Sequence, residues 1–332
     1  MSDTNKLSFG IIGAGLIGRK RALGMPSGCQ VLSIFDPNLD RSAKLAGELS
    51  NCEVAVSLEG LLSNSSINAV IIATSHSSLA TCALASLKAG KHVLIEKPGG
   101  ISSGELLELQ RLAIDNNLMI SVGFNHRFHP GILKAKEIIE SDKYGRLLWV
   151  RARYGHGGRI GYENEWRADR EISGGGELLD QGSHLIDLVK FFFGPSTLAF
   201  AHTPTLYWEM DVEDNAFIAL EPKCGGFAWL HASWSEWKNT FSFEITLETA
   251  KIDIRGLGGS YGTEEVTLFE MLPEMGPPVA TNWHFEESDN SFALEINDFI
   301  SSTKGSIPIG ATISDAISTL TIIEKAYAND YH

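Results

Sequence analysis

The sequence predicts an α/β protein that contains two different sheets. Short β-branched runs alternate with helical stretches over residues 1–123, whereas several strands follow one another without helices after residue 195. The first pattern is typical of a doubly wound parallel sheet with right-handed crossovers. The second predicts an α+β domain with a large, mostly antiparallel, open sheet. A chain of 332 residues is long enough for two cores of ordinary size.

The first half of the chain repeats a strand–helix unit. Two stretches with helical spacing, 77–89 and 102–117, each begin at a serine, a residue suited to the N-cap. The predicted strands are 7–12, 31–35, 69–73, 92–95 and 119–123. A change of pattern after these strands places the domain boundary near residues 123–130, which gives the domains 1–125 and 126–332.

The second half is predicted to begin with a helix at 132–140, a strand at 147–154 and a long polar loop at 156–176. A helix at 177–193 should end at Gly194-Pro195, a common helix stop. A last helix is predicted at 314–328. The strands of the second sheet are predicted at 198–208, 215–220, 226–234, 241–247 and 251–255.

Composition excludes several classes of protein. A net charge of −14 opposes binding to nucleic acid and to anionic membranes. No stretch approaches the roughly 20 apolar residues that span a bilayer, and residues 1–8 do not resemble a signal peptide. The four scattered cysteines favour reduced thiols over disulfides or a metal site. We therefore expect a cytoplasmic protein without a metal.

A glycine-rich turn joins the first predicted strand to the next helix. The segment 13–18, GAGLIG, fits the pattern G-x-G-x-x-G, whose glycines permit a tight turn, close approach of a pyrophosphate and helix–strand packing. The helix N-terminus adds amide donors and partial positive charge for phosphates. The motif predicts dinucleotide binding through Gly13, Gly15, Leu16, Ile17 and Gly18.

An acid ends the second predicted strand, 18 residues after Gly18. A carboxylate at this position binds the adenosine ribose hydroxyls and repels a 2′-phosphate. Asp36 therefore favours NAD over NADP, although Asp-Pro-Asn is also a common way to start a turn. Arg41 could cover the adenine, or it could be an ordinary solvated cation.

Three side chains are candidates for chemistry near a nicotinamide. Lys97, in Glu96-Lys97-Pro98, follows a strand at the sheet edge where ligands bind, and Glu96 could pair with it. Asp180 and His184 are four residues apart on one helix face, after three glycines and before a second acid, Asp187. Histidine can take a hydroxyl proton near neutral pH. The alternatives are a surface lysine and a core histidine.

The motifs GAGLIG, EKPGG, GFNHRFHP and GGGELLDQGSHLID, in this order, resemble the glucose-fructose oxidoreductase and inositol dehydrogenase family, also called Gfo/Idh/MocA. The resemblance covers essentially the whole chain. It implies an N-terminal Rossmann domain and a C-terminal domain whose open sheet commonly forms a homodimer or homotetramer interface. It also implies catalytic roles for Lys97, Asp180 and His184. Asn125 and Arg127 match positions lining the nicotinamide pocket, and Trp166-Arg167 resembles a pair that reaches cofactor or substrate.

One segment departs from the family pattern. The fourth strand usually runs into A-T-P-N, whereas this chain has Ala73-Thr74-Ser75-His76. Backbone contacts of Thr74, Ser75 and His76 with the cofactor are still expected, but a side-chain role at position 76 is in doubt.

The substrate is less well defined. Six arginines and three acids lie between residues 146 and 170, and arginine suits phosphate or carboxylate. This excess points to an anionic substrate such as a nucleotide-linked sugar, or else to strand arginines that face water or pair with acids across a subunit contact. The predicted substrate-binding residues are Lys97, Arg127, Arg153, Tyr154, His156, Arg159, Trp166, Asp180 and His184.

The leading hypothesis is an NAD-dependent oxidoreductase that moves a hydride between nicotinamide and a secondary alcohol or ketone of a sugar. A nucleotide-linked sugar is the first choice of substrate, and a cyclitol of the inositol type is the alternative. Two other readings remain open: glycoside cleavage with a recycling NAD, and an NAD-bound sensor or regulator without turnover.

Overall fold

A computed structural model describes residues 7–274 and 276–329. Residues 1–6, which carry most of the expectation about a signal peptide, lie outside this range. The chain divides into two compact units: 1–125 with 290–317, and 126–289 with 318–332. Within the described ranges, every helix is too short or too polar to cross a membrane.

The first unit contains a seven-stranded sheet in the order β15-β6-β5-β4-β1-β2-β3. All neighbouring strands are parallel except β15, which is antiparallel to β6. Numbered along the whole chain, its strands are β1 (Ser8–Ile12), β2 (Gln30–Phe35), β3 (Glu53–Val54), β4 (Ala69–Ile72), β5 (His92–Glu96), β6 (Ile120–Gly123) and β15 (Ala311–Thr312). Its helices are α1 (Leu16–Leu23), α2 (Leu39–Gly47), α3 (Leu58–Ser63), α4 (His76–Lys88), α5 (Ser103–Asp115) and α9 (Ser291–Ser302).

Local capping explains where the helices of this unit begin. The Ser102 side chain accepts a hydrogen bond from the Glu105 amide, and the Glu105 carboxylate accepts one from the Ser102 amide, so α5 starts with a capping box. Helix α4 begins one residue earlier than predicted, with Ser75 at the N-cap. In the sheet of the first unit, strands β1 and β4 are almost fully buried, as expected for a parallel sheet covered on both faces.

The segment 290–317 belongs to the first unit, and not to a continuous second domain from 126 to 332. The physical reason is packing: Ile296 and Phe299 of α9 are buried in the same core cluster as Phe9, Ile11 and Leu94. Burial of such side chains outweighs proximity in sequence. No helix or strand was predicted for residues 256–313, so the return of the chain to the first unit was not predicted either.

The second unit contains an eight-stranded sheet in the order β14-β13-β12-β11-β7-β10-β9-β8. All neighbours are antiparallel except β7 and β10, which are parallel. Its strands are β7 (Leu147–Gly155), β8 (Ser196–His202), β9 (Asn215–Pro222), β10 (Phe227–Ser233), β11 (Thr240–Leu247), β12 (Ala250–Arg255), β13 (Glu264–Glu270) and β14 (Val279–Phe285). The helices are α6 (Pro130–Glu140), α7 (Arg170–Ser173) and α8 (Ser183–Phe193), with α10 (Ile313–Asn329) at the end of the chain.

The two predicted sheets, one parallel and one mostly antiparallel, confirm the predicted fold class. Three details differ from the prediction. Strand β8 ends at His202, six residues before the predicted end, and β13 and β14 were not predicted at all. The predicted helix 177–193 begins with a π-helical turn, Leu178–Gly182, and becomes α-helical only at Ser183. The predicted loop 156–176 contains two 3₁₀ turns and the short helix α7.

Candidate active site

The glycine turn of the first unit is shaped by contacts that leave no room for side chains at its ends. Gly13 has a φ of 97°, in the left-handed region, and a Cβ there would overlap the carbonyl oxygen of Ala73. A Cβ on Gly18 would overlap the carbonyl oxygen of Gly13. In contrast, a Cβ on Gly15 would meet nothing within 4 Å. The turn therefore has open space at its middle glycine, where the motif places a pyrophosphate.

The side chains around this turn differ in their exposure to solvent. Leu16 is 73% exposed at the start of α1, Ile17 is half-buried, and the exposed Arg41 lies on α2. After β4, Thr74 and Ser75 are half-buried, and His76 is buried as the first residue of α4.

Asp36 follows β2 and is 6% exposed. One carboxylate oxygen accepts a hydrogen bond from the Ala14 amide, and the other accepts one from the Asn38 amide, both at 2.8 Å. Asp36 therefore ties the glycine turn to the turn that starts α2, as its interpretation as a turn residue predicts. Each oxygen keeps a second lone pair, so ribose hydroxyls can still donate to it.

Lys97 follows β5, and its peptide bond to Pro98 is cis. The preceding Glu96 accepts a 2.6 Å hydrogen bond from Nε of Arg21, a fully buried residue of α1. Arg21 also pairs with Glu295 of α9. Sequence reasoning assigned Glu96 to Lys97 and did not identify Arg21, because the pairing joins residues 75 positions apart. The pair connects the helix after the glycine turn to the strand that carries Lys97.

Three glycines precede the helix that carries Asp180 and His184, and their neighbours in the second unit lie very close. A Cβ on Gly175 would overlap the Tyr327 hydroxyl, and one on Gly176 would overlap the Glu213 carbonyl oxygen. Glu213 Oε1 accepts hydrogen bonds from the amides of Gly176 and Leu178 and from the Tyr327 hydroxyl. Burial raises the pKa of Glu213 overall, and the three donated hydrogen bonds offset only part of this rise. Protein groups therefore fill the space beside Gly175 and Gly176.

Asp180 lies in the π-helical turn and is 8% exposed. Its Oδ2 accepts a 3.0 Å hydrogen bond from Nε of Arg167, whose guanidinium lies 4.6 Å from the centre of the Trp166 ring. The Trp166-Arg167 pair is therefore connected to Asp180 within one unit. A carboxylate paired with an arginine stays ionised and accepts further hydrogen bonds.

His184 is 5% exposed and stacks on the imidazole of His126, with 3.6 Å between ring centres. The buried Tyr154 lies edge-on to both rings, and its hydroxyl is 3.5 Å from His126 Nε2. Burial raises the pKa of Tyr154 well above its ordinary value, and the nearby Tyr261 raises it further. Tyr154 therefore stays protonated at neutral pH.

The remaining predicted residues have well-defined neighbours. Nε and Nη2 of Arg127 bind both carboxylate oxygens of the buried Asp187, at 2.8 and 2.6 Å. The Asn125 amide donates to the Ser291 hydroxyl at 2.8 Å in the first unit. His156 Nδ1 accepts a hydrogen bond from the Gly158 amide, and burial lowers the pKa of His156. Arg127 and Asn125 thus have structural partners at the positions where the resemblance implied cofactor contacts.

The family is settled by two sequence models. One, described as the oxidoreductase family with an NAD-binding Rossmann fold, matches residues 7–124, and the other, the GFO/IDH/MocA C-terminal domain, matches residues 132–253. Together these ranges hold more than half of the chain. The chain belongs to the GFO/IDH/MocA family.

Individual relatives agree with this assignment. Inositol 2-dehydrogenase 2 from Saccharopolyspora erythraea is 29% identical over 226 residues, which are 66% of this chain and 64% of the relative. This chain thus spans less than two thirds of the length of that curated relative.

Solved structures share the fold over nearly the whole chain. A levoglucosan dehydrogenase in complex with NADH and levoglucosan has a TM-score of 0.87 at 21% identity, and covers 97% of this chain and 98% of its own. A UDP-N-acetylglucosamine 3-dehydrogenase from Acidithiobacillus ferrooxidans has a TM-score of 0.80 at 20% identity, with 98% of both chains covered.

In this GFO/IDH/MocA chain, each of the six arginines between residues 146 and 170 has a partner in its own chain. Five pair with carboxylates, and Arg170 donates to the backbone oxygen of Asp211. Arg153 and Arg159 are also at least half exposed. The carboxylate pairs are Arg146–Glu248, Arg151–Glu244, Arg153–Glu236, Arg159–Glu165 and Arg167–Asp180. Of these five acids only Glu165 lies within residues 146–170, so the count over that range did not include Asp180, Glu236, Glu244 and Glu248.

Three residues around the site were not identified from the sequence: Glu213, His126 and Arg21. His126 lies in the motif GFNHRFHP, but only its neighbours Asn125 and Arg127 were predicted to line the nicotinamide pocket. Neither Glu213 nor Arg21 belongs to a motif, and each lies among other charged residues, so nothing in the local sequence indicated its burial. Such residues are rarely buried unless they are paired.

Proposed function

We propose that the chain is an NAD-dependent dehydrogenase or ketone reductase that acts on a secondary alcohol of a sugar or cyclitol. The observation that carries the proposal is the glycine turn, whose middle glycine faces open space and whose Ala14 amide donates a hydrogen bond to Asp36. Family membership supports it, as do relatives named for inositol and levoglucosan.

The residues that would hold NAD are those of the glycine turn and Asp36, with Thr74 and Ser75 at the neighbouring strand end. Bound NAD supplies a hydride acceptor or donor. The carboxylate of Asp36 leaves no favourable place for a 2′-phosphate, which supports NAD over NADP.

For the chain's own part in the reaction, we assign three side chains. Lys97 donates a hydrogen bond to the reacting oxygen and stabilises negative charge on it. His184 takes the hydroxyl proton in the oxidative direction and returns it in the reductive direction. Asp180, ionised beside Arg167, accepts a hydrogen bond from a substrate hydroxyl and so orients the ring. The 3.0 Å contact of Asp180 with Arg167 supports this role, because it fixes the carboxylate.

The substrate we favour is an uncharged sugar or cyclitol. The earlier expectation of a nucleotide-linked sugar rested on six arginines, and all six have partners within the chain. A nucleotide-linked sugar stays the second candidate, because a protein of the same fold is a UDP-N-acetylglucosamine dehydrogenase. Steady NADH formation with inositols or anhydrosugars, and none with UDP-sugars, is the expected result of a substrate panel.

We also propose a homodimer or homotetramer formed through the second sheet. Its outer face carries large apolar side chains that are 37% to 48% exposed: Trp149, Phe200, Phe227 and Trp229. Exposed patches of this kind often mark subunit interfaces. Light scattering of the purified chain gives the oligomer size.

The proposed role of His184 is tested by His184→Ala. We expect kcat to fall by about 10²- to 10⁴-fold, because the proton acceptor is removed, while NAD affinity stays nearly unchanged. The control is His284→Ala, at an exposed histidine of β14, which should leave both quantities as in the wild type.

Three results would contradict the proposal. Weakened NAD binding with normal turnover would exclude His184 as the proton acceptor. NAD binding by the wild type, without turnover of any sugar or cyclitol, would favour a sensor. Glycoside cleavage without NADH accumulation would favour the reading in which NAD is recycled.

A further inference from the structure

His126 and His184 form a face-to-face pair inside the second unit. Their ring centres are 3.6 Å apart and their planes differ by 17°. Each residue is 5% exposed. Close packing on a flat ring prevents the other ring from tilting, because any tilt brings atoms into overlap.

His126 is itself confined by aromatic neighbours from three other elements. Tyr154 of β7, Phe241 of β11 and His129 lie edge-on to its ring, at 5.1, 6.2 and 5.6 Å between centres. Edge-to-face contacts of this kind define the orientation of a ring. His126 therefore presents one fixed face to His184.

The last of these neighbours is anchored by a buried carboxylate. His129 Nδ1 lies 2.6 Å from Glu264 Oε1, and the Glu264 carboxylate accepts hydrogen bonds from the amides of Gly131 and Gly258. Burial alone would raise the pKa of Glu264, but the hydrogen bond and charge of His129 lower it overall. The His129 ring that packs against the stack is therefore held by the buried Glu264 carboxylate.

We propose that His126 is a positioning residue that holds the imidazole plane of His184 in the orientation needed for proton transfer. The inference rests on the acid–base role proposed for His184. Proton transfer requires donor and acceptor within hydrogen-bond reach and well aligned, so a tilted ring reduces the rate without changing substrate affinity. The stacking face of His126, and not its ring nitrogens, is the part that matters.

The kinetic test compares His126→Leu, which removes the flat ring, with His126→Phe, which keeps it without nitrogen. For His126→Leu we expect kcat to fall about 10- to 100-fold with KM and NAD affinity little changed. The solvent deuterium isotope effect on kcat should also rise, since proton transfer becomes more rate-limiting. His126→Phe should lose much less. Phe217→Leu is the matched control, because it removes a ring that stacks on a different histidine of the second unit, His231, at 4.3 Å between ring centres.

Three kinetic results would overturn the proposal. They are equal losses in His126→Phe and His126→Leu, an equal loss in Phe217→Leu, and a loss without any change in the solvent isotope effect. Each would assign His126 a chemical role through its nitrogens or a general packing role.

A second measurement does not depend on turnover. In the full chain labelled with ¹³C at histidine Cε1, the ring current of His126 should shift the His184 signal upfield. That shift should vanish in His126→Leu and persist in His126→Phe, and its absence in the wild type would overturn the stack. If the wild type turns over no sugar or cyclitol, the proposed function fails, and this signal alone decides whether His126 orients His184.

Discussion

The two glycine-rich segments of this chain look alike in sequence and do opposite things. GAGLIG, residues 13–18, and GGGELLD, residues 174–180, each lead from a turn into a helix. At Gly15 the space beside the backbone is open, whereas at Gly175 and Gly176 it is filled by Tyr327 and Glu213. The first segment keeps room for a ligand, and the second allows two protein segments to pack tightly.

The difference shows what a glycine pattern can and cannot reveal. Glycine is needed wherever another group comes close to the backbone, whether that group is a phosphate or a side chain. In the first segment, Gly13 and Gly18 are approached by backbone carbonyl oxygens, and only at Gly15 does no described group of the chain come close. In the second, Glu213 Oε1 accepts hydrogen bonds from the Gly176 and Leu178 amides, at the start of the helix that carries Asp180 and His184. Glycines before a candidate site are therefore evidence for close approach and not for a ligand.

The largest effect that separates the segments is expected from Gly176→Ala. The added methyl would overlap the Glu213 carbonyl oxygen, and backbone cannot move aside as a flexible side chain can. We expect a loss of at least about 2 kcal/mol in the free energy of unfolding, measured by urea denaturation. NAD affinity of the folded fraction should be unchanged. The control is Gly47→Ala, at the end of α2, where a Cβ meets nothing within 4 Å.

Gly15→Ala should show the reverse behaviour, with a smaller energy. Its methyl contacts nothing in the chain, so the free energy of unfolding should stay within about 1 kcal/mol of the wild type. It would stand where the motif brings a pyrophosphate against the backbone, and we expect NAD affinity to fall about tenfold, which corresponds to 1.4 kcal/mol. Calorimetric titration measures this. Unchanged affinity would mean that the open space at Gly15 is not the phosphate site, and the comparison would fail.

The sequence predicted best what depends on local chemistry. The parallel sheet, the capped helix α5 and the glycine turn follow from strand composition, from Ser102 and Glu105, and from steric rules that act over a few residues. The family and its NAD-binding domain were likewise readable from short motifs, and both are confirmed.

What the sequence could not supply are pairings between distant positions. Arg21 with Glu96, Gly176 with Glu213, and His126 with His184 join residues that are 75, 37 and 58 positions apart. Each pairing depends on which elements become neighbours, and a single sequence does not report that. The arginine excess at 146–170 misled for the same reason, since Glu236, Glu244 and Glu248 come from later in the chain.

The smallest expected effect concerns a histidine in each unit that accepts a hydrogen bond from a backbone amide. His92 in the first unit and His156 in the second each accept a backbone amide hydrogen bond at Nδ1, at 2.9 Å. Burial lowers the pKa of both below the ordinary 6.5. The folded chain therefore binds a proton at these sites less tightly than the unfolded chain, and stability present above pH 6.5 is lost as the pH falls through the lowered values. Each site should contribute less than about 1 kcal/mol to the free energy of unfolding.

His92→Asn and His156→Asn keep an acceptor near the Nδ1 position but do not titrate, so each should make the decline in stability from pH 6.5 to 5 shallower. Urea denaturation at several pH values measures this decline. A flatter profile in only one variant would show that the two histidines are not equivalent, and an unchanged profile in both would show that neither limits stability in acid.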